Sequence, residues 1–221
     1  MPTDPEIRDE VIATVRRFVA RDVIPVASDL EHADEYPGAI VEQMKELGLF
    51  GITIPEEYGG LGLDLLTYIG IVEELSYGWM SLSGIINTHT MCATNIARFG
   101  TEAQRQRWLP VLASGAQRGA LSLSEPDAGT DTRNISCRVT REGDEWIVNG
   151  TKTWVTNGER ADPLIGARRQ QDQRVRRREG AGAALGRRHG VEEHRKARLQ
   201  GSRDRRDVVC RPPHARGRVA G

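Results

Sequence analysis

Leu121-Ser122-Leu123-Ser124-Glu125-Pro126-Asp127-Ala128-Gly129-Thr130-Asp131 lies where the chain changes its hydrophobic period. Before it, apolar residues recur every three or four positions; after it they alternate. The stretch itself gathers hydroxyls and carboxylates around a proline that fixes a turn and a glycine that lets backbone approach a ligand. Such a loop at the junction of two unlike units is a candidate binding site. Read alone, it is better taken as an ordinary turn, since Ser, Asp, Gly and Pro fill turns for their own reasons.

Upstream the spacing is helical. Ile7, Val11, Val15, Phe18 and Val19 share one face from Pro5 to Asp22, with Asp4-Pro5 as cap and first-turn proline. Pro37 opens a second helix bearing Ile40, Val41, Met44 and Leu47, and Gly48 is placed to end it. Gly51 to Gly62 holds four glycines and a proline and reads as a surface loop. Leu65 to Tyr77 and Leu82 to Phe99 read as two mostly buried helices, followed by a shorter one over Glu102 to Leu112.

Downstream, Gly119 to Ser124 alternates, and Asn134 to Thr156 holds three strand-like runs, separated by Glu142-Gly143-Asp144 and by Asn149-Gly150. The Asn-Gly pair predicts a tight hairpin. On a strand, Trp154 and Thr156 share a face, so an aromatic surface and a hydroxyl donor sit side by side, which suits a flat heteroaromatic ligand. A core tryptophan beside a surface threonine is the competing reading.

The chain has 221 residues and a formal net charge of zero. That zero joins unlike parts: residues 1–165 carry 14 Lys+Arg against 25 Asp+Glu, and residues 166–221 carry 17 against 6. All the aromatic residues lie at or before Trp154, so the last quarter lacks the side chains that build a core. No apolar run is long enough to span a bilayer, and the acidic start Met1-Pro2-Thr3-Asp4-Pro5 is unlike a secretory signal, which points to a cytoplasmic home without a membrane partner. Cys92, Cys137 and Cys210 have neither zinc nor disulfide-framework spacing, and no metal site is expected.

Four segments resemble acyl-CoA dehydrogenases. Leu121 to Asp131 is similar to that family's "TEPGAGSD" loop, and Val148 to Gly158 to its "INGxKxWITNG" segment. Glu46 to Gly62, "ELGLFGITIPEEYGGLG", resembles its early loop, and Phe99 to Leu112 its "GTEEQKxxYLP" helix. Ser124 stands for threonine, Asp127 for the first glycine and Thr130 for serine, so the hydroxyl donors are kept. The resemblance covers about residues 5 to 165 and implies an α+β chain. An all-helical N-terminal domain (1–117) would be followed by the opening strands of a β-barrel-like middle domain (118–165), then by an irregular or disordered Arg-rich tail (166–221).

The resemblance also implies FAD and the α,β-desaturation of an acyl-CoA thioester: a carboxylate removes the α proton while the β hydrogen leaves as hydride to the flavin. Carried over, Leu121, Ser122, Leu123, Ser124, Gly129 and Thr130 line the flavin, Trp154 packs on its ring system with Val155 beside it, and Thr156 hydrogen-bonds near N5. Thr130 also touches the CoA portion. The helix around Gly84-Ile85-Ile86-Asn87 is either part of the acyl pocket or plain core. The family's catalytic glutamate comes from a C-terminal helical domain, so no catalytic residue is assigned in this chain, which reads as a truncated, inactive N-terminal portion. Glu125 belongs to the loop and is not promoted to base. Electron-transfer flavoprotein as electron acceptor and a homotetramer are family properties.

The tail has two readings. One is a basic disordered segment binding nucleic acid through phosphates, which would make the chain a non-catalytic binding protein with the helical domain as its acyl or partner surface. Its basic residues, however, are sixteen Arg to one Lys, with no aromatic to stack a base. The other reading is a changed frame, entered between Ala161 and Ala167. Read one nucleotide later, codons for Lys196 to Gly201 permit Lys-Leu-Gly-Tyr-Lys-Gly, and Ser202 to Cys210 permit Val-Glu-Thr-Asp-Glu-Met-Ser-Phe. Together these resemble the end of the family's β domain. Ala167 to Asp172 permits Leu-Ala-Val-Asn-Lys-Thr, a suitable next strand, and the frame reading is preferred.

Overall fold

A computed structural model describes residues 2–142, 145–166, 184–186 and 208–210 of the chain. Helix α1 spans Pro5–Phe18; the Asp4 carboxylate accepts the Glu6 N–H at 2.8 Å, and Pro5 needs no intrahelical partner for its missing N–H. The predicted end at Asp22 is passed. The chain widens into a π turn over Val19–Val23 and continues as α2, Ile24–His32. Pro25 has no N–H to give and would crowd a regular turn, so the ladder loosens just ahead of it. Helix α3, Gly38–Glu46, ends where predicted, with Gly48 at φ 70°. Helices α4, Leu65–Gly78, α5, Met80–Phe99, and α6, Glu102–Ala113, complete the helical part. The α6 start is a reciprocal capping box between Thr101 and Gln104.

Helix α4 packs between α1 and α5. Asp64 caps α4 and accepts from Thr67 N, Thr3 N and Arg8 as well, tying the chain start to this helix and holding its carboxyl well below the usual range.

The Gly51–Gly62 segment corrects an expectation. It is irregular but not superficial: Ile52, Ile54 and Tyr58 are buried with Phe50. The segment folds back on itself, Leu61 N–H donating to Gly51 O and Gly62 N–H to Ile54 O, both at 2.9 Å. Its glycines serve close backbone packing; a Cβ on Gly60 would stand 2.0 Å from the Ile54 carbonyl oxygen.

Among the described residues six strands follow: β1 Arg118–Ser122, β2 Arg138–Glu142, β3 Glu145–Asn149, β4 Ala161–Gly166, β5 Ala184–Gly186 and β6 Val208–Cys210. They form two sheets, β1-β4-β5 and β2-β3-β6; only β1 and β4 run parallel. The hairpin is β2–β3, closing from Glu142 to Glu145, not at Asn149-Gly150. Gly150 is instead where the chain leaves β3, pressed against Cys137; a Cβ there would lie 2.8 Å from the Cys137 Cα. The third strand-like run is also corrected: Thr151 to Val155 is irregular loop and Thr156 to Arg160 is turn. In the stretch read as irregular tail, β5 and β6 are two three-residue strands; the rest of that reading, with the proposed change of frame, lies outside the described residues.

Among the described residues no helix is long and apolar enough to cross a membrane, and no group of three or more His, Cys, Asp or Glu could hold a metal. Cys92 and Cys137 are buried, and burial pushes the Cys92 thiol up to about 12.

Candidate functional site

The two segments singled out in the sequence meet. Strand β1 delivers Leu121 and Ser122 from the helical side, and the loop after it turns tightly, Glu125 and Ala128 exchanging backbone hydrogen bonds. The 151–157 loop lies alongside. Thr153 N–H donates to Ser124 O at 2.9 Å, and Lys152 Nζ donates to Leu123 O at 2.9 Å. Ala128, Ile135, Cys137 and Val148 form a small core beneath these turns.

Glu125 is the strut of this arrangement. Its Oε1 accepts from Cys137 N and Lys152 Nζ, both at 2.9 Å; its Oε2 accepts from Ser136 N and Oγ, both at 2.6 Å. Burial alone would raise its pKa, but the donors from Ser136, Lys152 and Cys137 outweigh that and hold it at about 2. A carboxylate so engaged organises a loop and has no lone pair directed at a substrate.

Leu121 is half-buried and packs against the core near Cys92, Ile96 and Leu112. Ser122 is buried, Ser124 and Val155 are half-buried, and Leu123, Gly129, Thr130, Trp154 and Thr156 are exposed. Neither Trp154 nor Thr156 lies on a strand, so the alternation that would put them on one face is absent; both are exposed. Trp154 takes a left-handed backbone, φ 57°, and its ring is 72% exposed. Among the described residues no hydrogen bond links Gly129 or Thr130 to the 151–157 loop.

These residues offer hydroxyls and an open backbone to a polar-edged ligand. The Ser122 Oγ and Thr153 Oγ1 hydroxyl oxygens, one on each side of the junction, are buried and have no hydrogen-bond partner among the described residues. Buried hydroxyls are ordinarily satisfied. The open face of Gly129, where an added Cβ would meet nothing within 4 Å, leaves room for close approach.

Three residues that anchor the site were not singled out in the sequence: Lys152, His89 and Asn157. His89 is fully buried on α5; Gly119 N–H donates to its Nδ1 and its Nε2–H donates to Phe50 O, both at 3.1 Å. That pattern assigns the proton to Nε2, and burial lowers the pKa to about 4. Asn157 Nδ2 donates to Ile85 O at 2.9 Å and to Gly119 O at 3.3 Å. A polar residue on the apolar stripe Ile85, Ile86, Cys92, Ala93, Ile96 was the available signal for His89. Ile85 and Ile86 themselves are core.

A six-helix unit leading into a sheet, with two interlocked loops at their junction, defines a helical-plus-β protein. Residues 5–116 match the family model of the acyl-CoA dehydrogenase N-terminal domain, and residues 120–204 that of the middle domain. The chain belongs to the acyl-CoA dehydrogenase family. It is 40% identical over 152 residues to the short-chain-specific acyl-CoA dehydrogenase of Clostridium acetobutylicum, covering 68% of this chain and 40% of that one. Its fold is similar to glutaryl-CoA dehydrogenase from Mycobacterium smegmatis in complex with FADH2 (TM-score 0.74, 29% identity, 94% of this chain and 52% of that chain). It is likewise similar to butyryl-CoA dehydrogenase from Megasphaera elsdenii (TM-score 0.74, 26% identity, 95% and 56%). The chain spans about 40% of the length of the curated relatives it matches.

Proposed function

We propose that this chain is the flavin-holding N-terminal and middle part of an FAD-dependent acyl-CoA dehydrogenase. We further propose that its stretch after Ala161–Ala167 is read from a shifted frame. The observation that supports the first reading is the interlock of the two loops, Thr153 N–H on Ser124 O and Lys152 Nζ on Leu123 O, with Trp154 left exposed. FAD, when bound, supplies the acceptor for the β hydrogen of an acyl-CoA thioester. Trp154 offers a stacking face, Thr156 and Ser124 offer hydroxyl donors, and Leu121, Leu123, Gly129 and Val155 complete the lining. Thr130 is the residue assigned to the CoA portion.

The α proton needs a free carboxylate, and Glu125 is saturated by its own loop. The base therefore belongs to the family's C-terminal helical domain, beyond the two domains matched here. Turnover, hand-over of electrons to electron-transfer flavoprotein and assembly as a homotetramer go with that complete arrangement; the residues matched here hold the flavin. A cytoplasmic setting accords with the buried thiols Cys92 and Cys137.

Titrating the purified 221-residue chain with FAD tests the reading. A yellow complex forms, and flavin emission is quenched on Trp154; Trp154→Ala restores emission. A chain that retains no flavin overturns it.

A further inference from the structure

Gly119 sits at a break in the β1/β4 ladder. Arg118 pairs with Ala161 but Ala120 pairs with Leu164, so the register slips at the glycine. Its backbone groups are captured by side chains: the N–H by His89 Nδ1 at 3.1 Å, the C=O by Asn157 Nδ2 at 3.3 Å. The same Asn157 amide donates to Ile85 O at 2.9 Å, one turn before His89 on α5. A side chain at 119 could not be admitted, because its Cβ would lie 2.7 Å from the Cys92 Cβ. Helix α5, strand β1 and the 151–160 loop thus converge on one residue.

The loop held in this way is strained. Trp154 at φ 57° and Asn157 at φ 62° both occupy the left-handed region, which asparagine tolerates and an aromatic residue does not adopt unaided. Neighbouring bonds must impose it. Within the loop, Gly158 N–H donates to Val155 O at 2.9 Å, and outside it the Asn157 amide reaches two carbonyls of other elements.

We propose that His89 and Asn157 form a clamp on Gly119 that fixes the Trp154–Thr156 edge against α5, making both of them positioning residues for the flavin site. Neither residue is among those assigned to the flavin lining; their side chains bond backbone groups of Phe50, Ile85 and Gly119. Their effect is on where Trp154 and Thr156 stand relative to Ser122 and Ser124, and a site of this kind is degraded by displacements of about 1 Å. The consequence for flavin rests on the function proposed above; the clamp itself does not.

Hydrogen exchange on the full chain without ligand, followed by FAD titration, tests this with three variants. Asn157→Ala removes both donations. His89→Gln places an amide where Nε2 was and loses the acceptor for Gly119 N–H. His89→Asn keeps an acceptor at the Nδ1 position and gives up the Phe50 bond. Asn157→Ala and His89→Gln raise exchange across 118–124 and 151–160 about tenfold, with α1 and α4 unchanged; His89→Asn stays within about twofold of the parent. FAD binding weakens about tenfold in the first two variants and not in the third, one lost hydrogen bond being worth roughly that factor. Unchanged exchange in Asn157→Ala, equal behaviour of the two His89 variants, or a rise spread through the whole helical domain overturns the clamp. Failure of the parent to bind FAD overturns the functional reading instead, and the exchange pattern still decides the clamp.

Discussion

Glu125 is 5% exposed, and both of its carboxylate oxygens are engaged by Ser136, Cys137 and Lys152. Glu125→Ala would leave the Lys152 ammonium, itself only 14% exposed, without its counter-charge and two backbone N–H groups without acceptors. A loss of about 3 kcal/mol in urea unfolding is expected, with a smaller loss for Glu125→Gln, which keeps the shape. His89 sets the acid response. Its folded pKa, about 4, lies below its ordinary 6.5, so the unfolded chain binds the extra proton between those values. Stability is therefore full above pH 6.5 and falls by about 3 kcal/mol as pH drops through 4. Glu125, held at about 2 against 4.5, adds stability that is lost only at lower pH. Urea midpoints measured from pH 7 to 3.5 show the His89 slope in the parent and a flatter curve in His89→Asn. A parent curve flat down to pH 4 contradicts the assignment.

The loop from Gly51 to Gly62 shows what periodicity can and cannot say about an element. Gly59, at φ 80° with open space around it, and Gly60, 2.0 Å from the Ile54 carbonyl in Cβ terms, look alike in sequence. Gly59→Ala is expected to cost about 1 kcal/mol through backbone strain alone. Gly60→Ala costs more, over about 2 kcal/mol, because the atom it strikes is backbone and cannot turn away. Thermal unfolding of the two single variants separates them, and equal midpoints would refute the packing account. The helices α3 to α6 were legible because their apolar spacing and their caps, Gly48 and Thr101 among them, are local properties. The burial of Ile52 and Ile54 was not, since glycine density marks a turn without saying which side faces the core. Thr151 to Thr156 alternates like a strand, yet the interlock with Ser124 and the left-handed Trp154 bend it out of one. The two motif segments could be picked out in the sequence, and the structure brings them together; that His89 and Asn157 anchor them could not be read, because their partners are backbone groups 30 to 72 positions away.

At the scale of the whole molecule, charge and family likeness part company. Residues 1–165 are acidic and residues 166–221 are Arg-rich. The middle-domain match runs on to residue 204, whereas pairwise similarity to the Clostridium acetobutylicum enzyme spans 152 residues. An in-frame basic tail and a shifted frame make opposite predictions for the nucleic acid that encodes them. An in-frame tail should tolerate Arg and Lys alike, since phosphate attraction depends on charge, and it should confer salt-sensitive nucleic-acid binding lost on removing residues 166–221. A shifted frame explains sixteen Arg to one Lys as the by-product of GC-rich codons read out of step. The coding DNA is expected to read, one nucleotide later, Leu-Ala-Val-Asn-Lys-Thr opposite Ala167 to Asp172 and Lys-Leu-Gly-Tyr-Lys-Gly opposite Lys196 to Gly201. A chain expressed with the frame restored should bind FAD more tightly than the 221-residue form, because completed strands would replace the unpaired edges of a partial sheet. A stop codon before those stretches, or other residues in their place, removes the shifted frame from consideration and leaves the Arg-rich segment as a true part of the protein.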